Sequence, residues 1–308
     1  MQDLTVCILS FNRPEYLRQA LESVINQTLQ PKEIIIFDNG SDQLVYKVVE
    51  DLLSKNVKWI GSKQNNGPTW NFKRAIKNTK SKYVMLFHDD DCLHKNYLEK
   101  QMPYFQSNHN LVALSSNGFL IDYLGKSSGD LLIKNKSESN VVFFQSSGEV
   151  AIQYASNSCV PLSPTIYITD VLKKVTPNES YGKVADAVMM CELSDIGEVG
   201  LNLIPLYDCR VHLGQDSKNF PFELMNKLEY FFLACRFSHK DQRDILVKLL
   251  LKQRTVRNLK EIWLSIKELN IYNLKRLFLD NKSFLLFIPI VILEYFIKMF
   301  RSFLKKYL

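Results

Sequence analysis

The chain has 308 residues, 46% of them apolar and 23% charged, with a formal net charge of +7. That balance suits one large α/β domain with an appendage and excludes a disordered or repetitive chain, while six cysteines without a CxxC pair argue against a zinc or disulfide scaffold and fit a reducing compartment. The basic excess lies wholly in the C-terminal third, where residues 218–308 carry eighteen Lys and Arg against eight Asp and Glu, so an anionic partner, membrane lipid or nucleic acid, is expected there.

The opening MQDLTVCILS has no basic stretch ahead of an apolar core, so it is expected to start a strand, Leu4 to Ser10, and not to be a signal peptide. Phe11-Asn12-Arg13-Pro14 reads as a turn, and Glu15 to Gln27 as a helix with Leu17, Leu21, Val24 and Ile25 at helical spacing. A second buried strand, Glu33 to Phe37, ends at Asp38-Asn39-Gly40-Ser41. A helix over Tyr46 to Leu53, a short strand over Val57 to Ile60, a turn at Asn65-Asn66-Gly67-Pro68 and a helix over Thr69 to Asn78 follow. This β-α-β-α-β-α order predicts a Rossmann-like, mostly parallel sheet with helices on both faces. No GxGxxG follows the first strand, which disfavours a dinucleotide-binding oxidoreductase.

The next stretch, YVMLFHDDD, organises the rest. Tyr83 to Phe87 has the composition of a strand buried on both faces, and three aspartates at its C-terminal end sit where open α/β sheets bind ligands. Adjacent carboxylates repel, by roughly 1 kcal/mol per pair at 4 Å in water, so a positive partner is required, and a hard divalent cation fits. The competing reading is an acidic turn in which Asp91 caps a helix over Leu93 to Phe105.

Four pieces carry a resemblance: TVCILSFNRPEYLRQALESVINQT, EIIIFDNGSD, NNGPTWNFKRAI and the DxD-type motif in FHDDD. In this order and spacing they resemble the nucleotide-sugar-binding half of family 2 glycosyltransferases, which have the GT-A fold. The likeness weakens toward Ser217 and does not reach the C-terminal third. It implies a GT-A domain over 1–217, while charge and helical patterning make 218–308 a helical, basic region expected to associate with a membrane.

The resemblance also implies roles. Asp89 and Asp91 hold Mg2+ or Mn2+, with Asp90 the rival for the metal or a contact to the donor, and His88 stands where the family has its first acidic residue. Asp38 meets the uracil imide; a carboxylate only accepts hydrogen bonds, so a UDP or dTDP donor is favoured. The alternative for Asp38 is an Asx-turn with Asn39-Gly40. Phe11 and Asn12 frame the base, Arg13 reaches a phosphate, Gly67 lets the backbone approach the ligand, and Asn71 lies near the donor. Trp70 is expected in the core. The general base for an inverting transfer is Asp186 in KVADAVMMCEL, with Glu192 and Asp195 as rivals and a helix cap as the competing role. In IPLYDCRVHLGQDS, Arg210 lies near the diphosphate, His212 completes the metal shell or contacts phosphate, and Gln215-Asp216-Ser217 form a closing loop.

Beyond Phe220 three amphipathic helices are expected, over Leu224 to Phe237, Arg243 to Lys252 and Leu259 to Leu269. Phe284 to Leu293 is apolar but too short to span, so with Lys298, Arg301, Lys305 and Lys306 it is expected to lie on a membrane surface. Packing on the protein, or on a second subunit in a homo-oligomer, is the other reading. No nucleic-acid motif is present. The expected protein is a metal-dependent glycosyltransferase, peripheral on the cytoplasmic face of a bacterial inner membrane, that uses a lipid-linked glycan acceptor. The alternatives are a catalytically silent nucleotide-sugar-binding module and a nucleotidyltransferase, the latter disfavoured by the lack of a Gly-rich phosphate loop.

Overall fold

β1 (Gln2–Ser10) is the axis of the fold. Leu4, Val6 and Ile8 on one face, and Thr5 and Cys7 on the other, are wholly buried, so both faces of the sheet are covered there and an unbroken apolar run is the right sequence. The structure is a computed structural model that describes residues 2–134, 139–156, 158–213 and 221–267.

α1 (Pro14–Ile25) starts on a proline, whose missing N–H costs nothing at that position. It lays Leu17, Leu21 and Val24 on the Leu4–Val6–Ile8 face. Each side chain of this kind contributes roughly 1.5–3 kcal/mol when fully buried. β2 (Pro31–Asp38) then pairs parallel with β1. α2 is short (Gln43–Lys47), followed by a 3-10 turn at Glu50–Leu52. The single helix expected over Tyr46 to Leu53 is thus broken, at the β-branched pair Val48-Val49, which disfavours helix. β3 (Val57–Ile60), α3 (Pro68–Asn78) and β4 (Tyr83–His88) complete the first half.

In the second half, β5 (Cys92–Leu93) and α4 (Tyr97–Ser107) follow the acidic motif. The expected helix over Leu93 to Phe105 therefore starts later, and Asp91 does not cap it. The reason is β10 (Glu198–Arg210), whose Asp208 and Tyr207 pair with Cys92 and Leu93 and draw them into the sheet. Between them come β6 (Leu111–Ile121), β7 (Ser127–Leu131), β8 (Val141–Phe144), α5 (Ser147–Ala155), β9 (Thr165–Ile168), α6 (Thr169–Leu172) and α7 (Ala185–Ser194). The main strand order is β3-β2-β1-β4-β9-β6-β10-β5. β9 is antiparallel to both β4 and β6, and β10 is parallel to β6. β6 and β10 therefore point the same way as the first four strands, so six of the ten strands share one direction, with β5, β7, β8 and β9 reversed.

The first compact unit runs from Met1 to Ser238, past the boundary expected at 217. It includes α8 (Phe222–Leu233), where Leu228 and Phe232 are buried. Just beyond α8, the Arg236 N–H donates to Ser147 Oγ at 2.8 Å, and the Arg236 carbonyl accepts from the Gly148 N–H at 2.7 Å. In the second unit (His239–Leu308), α9 (Lys240–Lys267) is one helix of 28 residues. The expected break between Lys252 and Leu259 is absent, because that interval contains no Gly or Pro. Among the described residues, no helix is long and apolar enough to cross a membrane. The expected surface helix around Phe284 to Leu293, its flanking bases, and the loop Gln215–Ser217 lie outside the described residues.

Candidate active site

Register brings the site together. Ser10, the last residue of β1, stands opposite Asp38 of β2, while Leu9 stands opposite His88 of β4. The chain leaves β1 between these neighbours, at the point where the strand order reverses, and such points form crevices at the carboxyl edge of a sheet.

On the β4 side lie the three aspartates, all buried. Asp89 Oδ2 accepts from the Phe11 N–H at 3.0 Å, and its Oδ1 accepts from Arg13 Nη1 at 2.9 Å. The same Arg13 nitrogen lies 3.2 Å from Asp90 Oδ2, which also meets His212 Nε2 at 3.0 Å. Asp91 Oδ1 accepts from the Arg210 N–H at 3.0 Å. Burial is the main force on all three carboxyls. It pushes Asp89 up to about 6, with the Asp90 charge adding and Arg13 opposing. It pushes Asp91 well above the usual range, again with Asp90 adding. Asp90 is also opposed by burial, yet the positive sides of His88, Arg13 and His212 hold it below the usual range.

His88, Asp90 and Asp91 can each bring one ligand atom within 4.8 Å of the others. Two carboxylates and an imidazole, in a site with surplus buried negative charge, fit a divalent cation of the Mn2+ or Mg2+ kind. Asp89 faces Arg13 and the Phe11 N–H and is not in that group, and His212 touches it through Asp90. Arg210 is fully buried, and its guanidinium is spent on protein atoms. Nε donates to the Asp90 carbonyl at 2.8 Å, Nη2 to Gln19 Oε1 at 2.8 Å, and the group lies 4.5 Å above the Tyr16 ring.

On the β2 side, Asp38 Oδ2 accepts from the Gly40 and Ser41 N–H groups at 3.2 and 3.1 Å, the Asx-turn weighed from sequence. Its Oδ1 is buried without a hydrogen-bond partner among the described residues, as are Ser10 Oγ and Asn71 Oδ1. Orphaned acceptors of this kind are rare and costly unless a ligand or water meets them. Asn71 Nδ2 donates to the Phe37 carbonyl at 2.7 Å, which fixes the start of α3 against β2. Asn39 ties the neighbouring loop: Nδ2 donates to Asn65 Oδ1 and the Gly67 carbonyl, and Oδ1 accepts from the Asn66 N–H. Gly67 has φ +86°, a left-handed conformation open to glycine, with free space where a Cβ would point. Asn12, at φ 51°, is pinned by Ser41 Oγ and the Asp42 N–H.

Trp70 is 39% exposed, so the expectation that it is core is corrected. It lies on the outer side of α3, where the Arg74 guanidinium stacks 4.7 Å from its ring and donates to the Asp38 carbonyl at 2.7 Å. Arg74, Ser10 and Tyr16 were not singled out from sequence, and Asn39 only as part of the turn after Asp38. Only Arg74 left a local signal, one helical turn after Trp70 on the same face.

Asp186 is the second residue of α7, and its Oδ1 accepts from the Ala187 N–H at 2.8 Å. The helix has no side-chain cap, and a kink at Gly182 (φ 48°) precedes it. Burial raises the Asp186 pKa. Its charge is felt by the Cys159 thiol, pushed up to about 12 chiefly by burial. Four residues on, Ser163 Oγ accepts from the His88 N–H at 2.9 Å. Of the rivals, Asp195 is spent on the Ser147 N–H (3.0 Å) and Arg236 Nε (3.1 Å), while Glu192 is partly buried with a raised pKa from burial.

Residues 5–145 match the sequence family described as Glycosyl transferase family 2. An uncharacterized glycosyltransferase of Haemophilus influenzae is 28% identical over 115 residues, 37% of this chain and 36% of that one. A teichoic acid poly(glycerol phosphate) polymerase of Staphylococcus epidermidis is 26% identical over 116 residues, 37% of this chain and 16% of that one. The chain thus spans well under half the length of these curated relatives. Among solved structures, S. aureus TarS 1-349 in complex with UDP superposes with a TM-score of 0.59 at 19% identity, over 86% of this chain and 75% of that one. The same protein with UDP-GlcNAc gives 0.58 at 18% identity, over 81% and 72%. At these identities the likeness establishes the GT-A-like fold.

Proposed function

We propose, from the match of residues 5–145 to glycosyl transferase family 2, that the chain moves a sugar from a uridine or thymidine diphosphate donor to a lipid-linked glycan acceptor with inversion. The observation that carries the reading is the buried, unpartnered Asp38 Oδ1 at the carboxyl edge of β2. A carboxylate there accepts from the imide N–H of uracil or thymine and meets only another acceptor in cytosine. The UDP and UDP-GlcNAc bound in TarS support a uridine donor. The polymerase relative supports a surface-polymer setting.

Asp90 and Asp91, with His88 beside them, are the residues that would hold a divalent cation, and a bound cation would supply charge stabilisation to the leaving diphosphate. Asp89 orients Phe11 and Arg13 at the end of β1. Asp186 takes the proton of the acceptor hydroxyl as its oxygen bonds to the anomeric carbon and the nucleoside diphosphate departs. The basic C-terminal region supports a place on the cytoplasmic face of a bacterial inner membrane, next to a lipid-linked acceptor.

Thermal denaturation with UDP, dTDP and CDP, each with Mn2+, tests the donor. UDP and dTDP are expected to raise the melting temperature, by the equivalent of about 2.7 kcal/mol at a hundred times the dissociation constant, and CDP is not. Asp38→Asn keeps an acceptor for the Gly40–Ser41 turn but offers an N–H where Oδ1 stood. It is expected to weaken UDP by about 10-fold or more and to narrow the gap to CDP. Equal stabilisation by UDP and CDP in the wild type would remove Asp38 from base recognition.

A further inference from the structure

One guanidinium nitrogen bridges two carboxylates of the acidic motif. Arg13 Nη1 sits 2.9 Å from Asp89 Oδ1 and 3.2 Å from Asp90 Oδ2. Asp90 Oδ2 also receives His212 Nε2 at 3.0 Å, so this oxygen is covered on two sides by protein groups. Asp90 belongs to the group whose ligand atoms converge within 4.8 Å. A divalent cation and the Arg13 guanidinium cannot share that oxygen at contact distance, because like charges a few ångströms apart in a poorly solvated site repel strongly.

The two carboxylates hold Arg13 differently. Asp89 is 1% exposed, accepts from the Phe11 N–H as well, and lies outside the converging group. Asp90 is the more exposed partner, and Arg13 itself keeps 30% of its side-chain surface in solvent. The backbone beneath it is fixed: Asn12 is pinned through Ser41 and Asp42, and the Arg13 carbonyl accepts the first helical bond from Leu17 at 2.9 Å. The side chain is therefore the part able to move. A guanidinium released from Asp90 can take another anionic partner, and it forms bidentate contacts with phosphate oxygens well.

We propose that Arg13 is a resident counter-ion of the acidic motif, one that holds the cation's place at Asp90 and gives it up when a divalent cation and the donor diphosphate bind together. This rests on the nucleotide-diphosphate reading above. In it Arg13 offsets part of the motif's negative charge without donor, the bare cation is bound weakly, and donor and cation assist each other because the diphosphate gives Arg13 a second anionic partner.

Mn2+ binding followed by electron paramagnetic resonance, with and without UDP, tests it on the full chain. For the wild type, Mn2+ alone is expected to bind weakly and UDP to tighten it. Arg13→Gln keeps a hydrogen bond to Asp89 without the charge. It is expected to bind Mn2+ alone at least about threefold more tightly than wild type, to bind UDP more weakly, and to lose much of the UDP-induced tightening. A merely structural role would weaken both ligands, and that result, or unchanged Mn2+ affinity, overturns the proposal while leaving the donor reading intact. If Arg13→Gln does not fold, Arg13→Lys and crystals of wild type with Mn2+ and UDP serve instead. The Arg13–Asp90 contact is expected to open beyond 4 Å in those crystals, and its persistence beside a bound ion refutes displacement. A wild type that binds neither UDP nor Mn2+ overturns both this inference and the function it rests on.

Discussion

As the proposed base, Asp186 would pit stability against chemistry. Burial holds its carboxyl above the usual range, and a base has to be ionised, so transfer is expected to rise with pH through that raised value. Its folded-state pKa exceeds that of the unfolded chain, about 3.9. The folded state therefore binds more protons between the two values, and stability falls as pH rises through that window. Asp186→Asn carries no charge at any pH. It is expected to stabilise the protein at pH 7.5, and less at pH 5, while cutting transfer about 10²–10⁴-fold and sparing UDP binding. Urea denaturation at the two pH values and initial rates check this; an unchanged rate removes Asp186 from the base role. Single residues were legible where the type restricts the chemistry, as for Asp38 ending an apolar strand or three aspartates after another. They were not where surroundings decide. Trp70 looked like core because tryptophan is apolar, yet its exposed ring supports Arg74, and nothing in the order of residues pairs Arg210 with the Asp90 carbonyl.

At the scale of elements, the Asp38 side of the site depends on two loops that meet. The turn after β2 and the loop before α3 are joined through Asn39, and Gly40 lies at their contact. Gly40 has φ +81°, and a Cβ there would lie 2.3 Å from the backbone carbon of Gln64. Gly40→Ala is expected to cost about 1–3 kcal/mol and to weaken UDP binding, because the turn that orients Asp38 must shift. Thermal denaturation and titration calorimetry check it, and a variant with wild-type stability and affinity contradicts the role given to the turn. Each loop was legible alone, from Asn-Gly and Gly-Pro signals, and so were β1, α1 and β4 from apolar runs and helical spacing. Their meeting was not, since it depends on side chains 26 residues apart, Asn39 and Asn65. Nor was the insertion of β9 between β4 and β6, because a short apolar strand such as Thr165–Ile168 carries no mark of its partners.

For the molecule as a whole, the first unit ends after α8 and its Arg236 anchor. A fragment of residues 1–238 is expected to melt cooperatively and bind UDP. One ending at 217 is expected to lose stability or aggregate, because it discards the buried Leu228 and Phe232. The basic excess after residue 218 was legible as charge, and its proposed membrane contact is testable on the same fragment. The full chain is expected to sediment with vesicles containing anionic lipid, and the 1–238 fragment much less; equal sedimentation would move the contact elsewhere. The most direct test of the function is a crystal grown with UDP and Mn2+, read by anomalous scattering. The expected result is a manganese peak in coordination with Asp90 and Asp91 and a uracil edge against Asp38 Oδ1; a nucleotide bound away from the carboxyl end of β1, or no peak at the aspartates beside an ordered UDP, would contradict it.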